Sequence, residues 1–270
     1  MKRVLLTNDD GFDSVGLMAL RDGVKDALND DVEIMIIAPA REKSACGHGL
    51  SLSSPLHFEK IDDNFYKLED GNPTDCVYLG LKAIYKNEVY PDLVLSGINL
   101  GSNMGEDVTY SGTIAGAMEA TLYGIPSMAF SQVLQDKKNS SKFDFGLAKK
   151  VVSDLVKKFF EKKLPFDGRR FLNINIPQIA IDQCKGYQVT QKGFRLYKND
   201  AVYRKDPRGR EYYWLGLQPL AWRERDENEI QKQIPSDFNA TKNGYVSITP
   251  ITLNLTSYES LEQTKRWLEN

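Results

Sequence analysis

Asp9 and Asp10 stand side by side near the start of the chain, between Asn8 and Gly11. Adjacent carboxylates repel each other and are costly to bury unpaired, so their chemistry asks for a cation. Two other patterns offer oxygen atoms of the same hard kind. Ser44 lies in the loop from Ala40 to Gly49, and Asn99 lies in the glycine- and asparagine-rich stretch Ser96 to Gly105. Two carboxylates, a hydroxyl and an amide carbonyl suit Mg²⁺, Mn²⁺ or Ca²⁺ far better than zinc. A fourth pattern, Ser111, Gly112 and Thr113 after Tyr110, opens a run of small residues that reads as helix. Such a helix start presents free amides, two hydroxyls and the positive end of the dipole, a seat for phosphate to which Asn103 can add an amide. A hard divalent ion beside a phosphate seat is the equipment of phosphate-ester hydrolysis. Taken alone, Asp9 reads equally well as a turn cap, and Asp10 or Asp13 as the cap of the next helix.

Other chemistries leave no trace. There is no G-x-x-x-x-G-K-[ST] loop, no G-x-G-x-x-G after the first apolar run and no H-E-x-x-H, which disfavours ATP-driven, NAD-linked and zinc-protease readings. The two histidines, His48 and His57, show no spacing that suggests a serine-type triad. His48 could protonate a leaving oxygen, although a mobile surface histidine is the simpler reading. Cys46, Cys76 and Cys184 are odd in number and widely spaced, against both a disulfide framework and a cysteine-rich zinc site. With 35 Lys and Arg against 37 Asp and Glu, the net charge of -2 gives no general pull toward nucleic acid or membrane. No signal peptide and no apolar run near the ~20 residues of a spanning helix is visible. The expectation is a soluble cytoplasmic protein with neither a nucleic-acid polymer nor a membrane as partner.

The elements that must position these residues follow from periodicity. Val4 to Leu6 reads as a buried strand; Leu17, Leu20, Val24 and Leu28 fall at helical spacing behind Asp13 and Ser14; Val32 to Ala38 is a second strand ending at Pro39. This βαβ unit brings the Ser44 loop out at the same sheet edge as Asp9 and Asp10. A small hairpin is expected over 51–70, then a helix from Asn72 to Asp75 onward with Thr74 as its N-cap. The strand Leu93 to Leu95 gives out at Ser96, and Met128 to Ser131 and Phe171 to Ile176 are further strands. A polar loop from Gln135 to Lys142 leads to a helix with Leu147, Val151, Val152, Leu155 and Phe159 inward. The alternation gives an α/β, Rossmann-like, doubly wound and mostly parallel sheet.

From Tyr187 the composition turns to aromatics and charges. Asp206-Pro207-Arg208-Gly209 is a turn between paired strands that project as an aromatic ribbon, better suited to subunit contact than to a substrate lid. Thr256 and Glu259 form a capping box for a last helix bearing Leu261, Trp267 and Leu268. The expected divisions are a catalytic domain over 1–180, a projecting β extension over 181–233, and a C-terminal strand and helix over 234–270 that return to the core or swap to a neighbour.

Seven motifs occur together in order: N-D-D-G at 8–11, A-P-x-x-x-x-S at 38–44, N-P-T-D-C-V at 72–77, S-G-I-N-x-G-x-N at 96–103, Y-S-G-T at 110–113, D-P-R-G-R-x-Y-Y-W at 206–214 and G-Y-V-S-I-T-P at 244–250. The ordered set resembles the SurE family of stationary-phase survival proteins over nearly the whole chain. The resemblance implies a divalent-metal-dependent phosphatase of nucleoside 5′- and 3′-monophosphates, with short polyphosphate as a further substrate in some members. It implies one Mg²⁺ or Mn²⁺ (or Ca²⁺) per subunit, held by Asp9, Asp10, Ser44 and Asn99, and phosphate contacts from Asn103, Ser111, Gly112 and Thr113. It also implies a homodimer or homotetramer formed through an exchanged C-terminal extension. Asn72, where the family usually has Thr or Gly-Thr, and the loop Ala45 to Gly49 depart from the pattern on the substrate side.

The expected mechanism is direct attack of a metal-activated water on the phosphomonoester, with Asn8 or a free oxygen of Asp9 or Asp10 orienting that water. An aspartyl-phosphate route fits less well, because the second acid follows immediately and not two positions on. A nucleotide or polyphosphate sensor using the same seats, without turnover, is the alternative; a purely structural oligomer built on the ribbon is a weaker third.

Overall fold

A computed structural model describes residues 1–29, 31–85, 89–134, 144–166, 168–197, 201–215, 221–224 and 233–269. The polar loop expected from Gln135 to Lys142 lies outside these residues. Val4, Leu5 and Leu6 are fully buried within strand β1 (Lys2–Thr7), which explains the unbroken apolar run. Val4 and Leu6 face one core while Leu5 faces another, as the two-residue period of a strand requires.

Helix α1 (Val15–Leu28) starts on Ser14, whose hydroxyl accepts from Gly16 N, and buries Leu17, Leu20, Val24 and Leu28 as their spacing predicts. It shares the first core with α4 (Gly146–Lys162), whose Val151, Val152, Leu155 and Phe159 face it. The opposite face is covered by α2 (Pro73–Leu79), continued by a π turn over Gly80–Ile84, and by α3 (Gly112–Leu122). The N-cap of α2 is Asn72, not Thr74. Asn72 accepts from Asp75 N while the Asp75 carboxylate accepts from Asn72 N, a reciprocal box that puts Pro73 in the first turn. Thr74 is instead buried, its hydroxyl without a partner.

Among the described residues, nine strands form the main sheet in the order β3-β4-β2-β1-β5-β6-β7-β13-β8. Strand β2 is Val32–Pro39, and the expected hairpin is β3 (His57–Asp62) with β4 (Phe65–Glu69), attached through β4 parallel to β2. Next come β5 (Leu93–Leu100), β6 (Ser127–Gln132) and β7 (Arg170–Ile176), all parallel to β1. Strand β5 runs five residues beyond Leu95. Its register breaks between Ser96 and Asn99, then resumes with Asn99 opposite Ser131. Gly97 makes this possible: its φ is 136°, and a Cβ there would lie 2.3 Å from the Phe130 carbonyl oxygen.

Strand β8 (Tyr187–Val189) is an edge of the main sheet, inside the stretch 181–233 expected to project from it, whereas β9 (Phe194–Leu196) lies outside that sheet. The turn at Asp206 to Gly209 joins β10 (Ala201–Lys205) to β11 (Glu211–Leu215) in an antiparallel ribbon, and β12 (Ala221–Arg223) pairs with β9. A short helix α5 (Asp237–Lys242) precedes β13 (Val246–Thr252), which is antiparallel to β7 and parallel to β8. The last helix, α6 (Leu261–Glu269), begins only after a 3₁₀ turn over Tyr258–Ser260, later than a cap at Thr256 predicts, and buries no residue. No helix among the described residues is long and apolar enough to cross a membrane.

Candidate functional site

The strand order reverses at β1: β2 lies on one side and β5 on the other. Ligands of open α/β sheets bind beyond the carboxyl ends of the strands at such a switch point. Asn8, Asp9 and Asp10 follow β1 there. The Lys43 amide, next to Ser44, donates to the Asp9 carbonyl oxygen at 2.7 Å, and the Leu100 amide, next to Asn99, donates to Asp10 Oδ2 at 3.2 Å. The main chain therefore brings the loop of Ser44 and the end of β5 against the carboxylate pair. Gly16 allows the last of these approaches. A Cβ on it would stand 2.0 Å from the Ile98 carbonyl oxygen, so only glycine lets α1 start this close to β5.

Asp9 is 3% exposed. Burial raises its pKa, against the opposing pull of hydrogen bonds from Thr113. Burial and the neighbouring Asp9 charge push Asp10 up to about 6. No described basic side chain makes a salt bridge to either carboxylate. No described cluster of three or more His, Cys, Asp or Glu residues could hold a metal, so a cation here would have to share two carboxylates with neutral oxygens. Suitable neutral oxygens are present. The Asn99 amide nitrogen donates to Gly101 O at 2.8 Å, which fixes the amide and leaves its carbonyl oxygen for a cation; the Ser44 hydroxyl donates to Glu42 Oε1 at 2.7 Å and keeps its lone pairs. Asn8 donates to Gly11 O, while its buried Oδ1 has no partner. An orphaned acceptor beside two desolvated carboxylates fits a site completed by a hydrated cation.

Helix α3 points its N-terminus at this pair. The Thr113 hydroxyl donates to Asp9 Oδ1 at 2.5 Å, and the Thr113 backbone also bonds Asp9. Thr113 thus holds a carboxylate where phosphate contact was expected. Ser111 is the N-cap of α3 and accepts from Ile114 N, leaving its own proton to donate. Gly112 packs against the carboxylate: a Cβ there would sit 2.7 Å from Asp9 Cβ and 2.9 Å from Cys46 Sγ. Asn103 is buried in a polar lattice. Its amide nitrogen donates to Ser131, its backbone N–H to Asn175, and its carbonyl accepts from Asn173 and Asn175.

The family model described as Survival protein SurE matches residues 4–199. The chain belongs to the SurE family. One SurE relative, named 5′-nucleotidase SurE, from Helicobacter hepaticus, is 57% identical over 269 residues, covering 100% of both chains. Another of that name, from Wolinella succinogenes, is 58% identical over 268 residues, covering 99% of this chain and 100% of its own. The crystal structure of the SurE protein from Aquifex aeolicus superimposes with a TM-score of 0.78 at 41% identity, over 99% of this chain and 100% of that one.

In this SurE chain the structure also brings up residues that motif reading passes over. His48 Nε2 lies 2.8 Å from Oε2 of Glu119, whose side chain is 5% exposed, so His48 is tethered to α3 and is not a free surface histidine. The Gly47 amide donates to Tyr110 O, Asn72 Nδ2 donates to Gly49 O, and Ser51 donates twice to Asp75. The Ser44 loop is therefore tied down along its length. Glu42 adds negative charge beside Asp9 and Asp10. The Cys46 thiol is pushed up to about 11, mainly by burial, which makes it a poor nucleophile. Nothing in the spacing of Glu42 or Glu119 points to these contacts, since each partner is set by the path of a loop.

Proposed function

We propose that the chain is a divalent-cation-dependent 5′-nucleotidase that hydrolyses nucleoside monophosphates to nucleoside and phosphate. The observation that carries this reading is the desolvated Asp9 and Asp10 pair at the sheet's switch point, set against the N-terminus of α3 and without a salt bridge to any described basic side chain. The names of the full-length relatives support the substrate class. Asp9, Asp10, Ser44 and Asn99 would hold the ion, Mg²⁺ or Mn²⁺ by donor chemistry. When bound, such an ion supplies charge stabilisation at a phosphoryl oxygen and a lowered pKa for water.

The chain's own groups do the rest. Asn8 Oδ1 accepts a hydrogen bond from the attacking water and orients it. Thr113 keeps the Asp9 carboxylate in a single orientation. A helix leaves its first amides without internal partners. Ser111 N is taken by Asp107 O and Thr113 serves Asp9, so Gly112 N–H and the Ser111 hydroxyl are the donors assigned to the phosphoryl oxygens as charge builds on them. Asn103, whose amide nitrogen donates to Ser131, is assigned its second amide proton for the phosphate. The exposed ribbon β10–β11 and the unburied helix α6 are assigned to contact between copies of this chain.

The test is phosphate release from AMP with Mn²⁺ or Mg²⁺ against an EDTA control. Release that depends on the ion is expected. Tight nucleotide binding with no release in any divalent ion would overturn the enzyme reading in favour of a sensor.

A further inference from the structure

A phosphate seated at Ser111 and Gly112 leaves the rest of a nucleotide to lie outside the cradle, on whatever surface borders it. Tyr110 immediately precedes the cradle and is 60% exposed. Its carbonyl oxygen accepts from Gly47 N, so it stands between the Ser44 loop and the head of α3. Its ring meets that of Tyr197 edge to face, centroids 6.3 Å apart and planes at 84°. This single ring contact, together with the exposure of Tyr110, leaves much of its ring open to solvent. Tyr197 belongs to the extension, and it is not loosely placed. Its hydroxyl donates to Asp107 Oδ1 at 2.8 Å, and Arg195 pairs with the other oxygen of the same carboxylate. Arg195 lies over the Phe238 ring, on which Trp222 stacks at 5.2 Å. The extension is thus clamped to the 3₁₀ turn Gly105–Thr109 that leads into the cradle.

We infer that Tyr110, braced by Tyr197, is a stacking platform for the nucleobase, so that the extension completes the substrate site of its own chain and selects base-bearing phosphomonoesters over plain sugar phosphates. The assignment rests on the nucleotidase reading above. A flat exposed aromatic accepts any base through its π face, with little dependence on hydrogen-bond pattern.

The experiment compares kcat/KM for AMP with that for ribose 5-phosphate, which has the sugar and phosphate but no base. The wild-type chain should favour AMP. In Tyr110→Ala the AMP to ribose 5-phosphate ratio should fall about 10-fold or more, the loss expected for one base–aromatic stack. Tyr110→Phe should retain the wild-type ratio, and Tyr197→Ala should lower it by about threefold, mostly through KM. A wild-type ratio near one, or a ratio unchanged within twofold in a folded Tyr110→Ala protein, overturns the platform while leaving phosphatase activity in place. No hydrolysis of either substrate by the wild-type chain would instead overturn the enzyme reading.

Discussion

Asp10 is the residue whose environment makes the sharpest demand. Its pKa in the folded, cation-free protein, about 6, lies above the ordinary carboxylate value of 3.8. The contribution of Asp10 is therefore most favourable below about pH 4 and is lost as pH rises through about 6, at a cost of roughly 3 kcal/mol once fully ionised. In EDTA, Asp10→Asn should raise Tm by about 5 °C at pH 8 and by about half as much at pH 5; thermal unfolding at both pH values checks this. An equal gain at both would mean that the charge is not the cause. With Mn²⁺ present, the same substitution, like Asp9→Asn, should abolish phosphate release at an unchanged circular dichroism spectrum. Gly112→Ala should cut kcat at least 100-fold, since its Cβ would collide with Asp9 and Cys46, while stability drops by only about 1–3 kcal/mol. The oxygen donors themselves were legible because carboxylates, hydroxyls and amides announce their chemistry wherever the chain folds. Thr113 reads in the sequence as a phosphate contact, and its tie to Asp9 was not legible there. Whether a hydroxyl at a helix start faces phosphate or a neighbouring carboxylate depends on an approach between segments 104 residues apart.

Among the elements, the loop from Ala40 to Ser51 shows how far local sequence can mislead. Its glycines and polar residues suggest mobility, yet His48, Gly47, Gly49 and Ser51 are each fastened to a different partner. Glu119→Ala should release the His48 anchor, lower stability by about 1–2 kcal/mol, and speed amide hydrogen exchange across residues 44–49 while leaving β1 protected. Exchange rates unchanged in the loop would show that the remaining ties suffice. Strands and long helices were readable from period alone because each has one or two buried faces. The N-cap of α2 was misplaced by two residues, since both Asn72 and Thr74 have capping chemistry and only the reciprocal bond to Asp75 decides between them. The extra length of β5 was hidden too: its pairing resumes through Gly97 only because Phe130 lies alongside.

At the scale of the whole molecule, two surfaces stand unfinished. Leu261, Trp267 and Leu268 of α6 are exposed, as are Tyr213, Trp214 and Leu215 of β11. Apolar faces of this kind mark contacts with another chain, so light scattering should find an oligomer. Trp267→Glu with Leu268→Glu should shift it to a smaller species; a mass unchanged by these charges would remove α6 from the interface. The aromatic composition beyond Tyr187 suggests a contact surface but carries no address, and it did not reveal that Arg195 and Tyr197 dock on the segment before α3. The insertion of β13 between β7 and β8 has a consequence for synthesis on the ribosome. Chains emerge N-terminus first, so β7 waits with an open edge until residues beyond Val246 have cleared the exit tunnel. Asp237, which accepts from Gly105 N and Gly193 N, arrives equally late to pin the segment leading toward Tyr110. A nascent chain stalled before that point would already carry both aspartates yet lack the strand that seals the sheet, leaving the half-made protein exposed to chaperones, proteases and its own siblings.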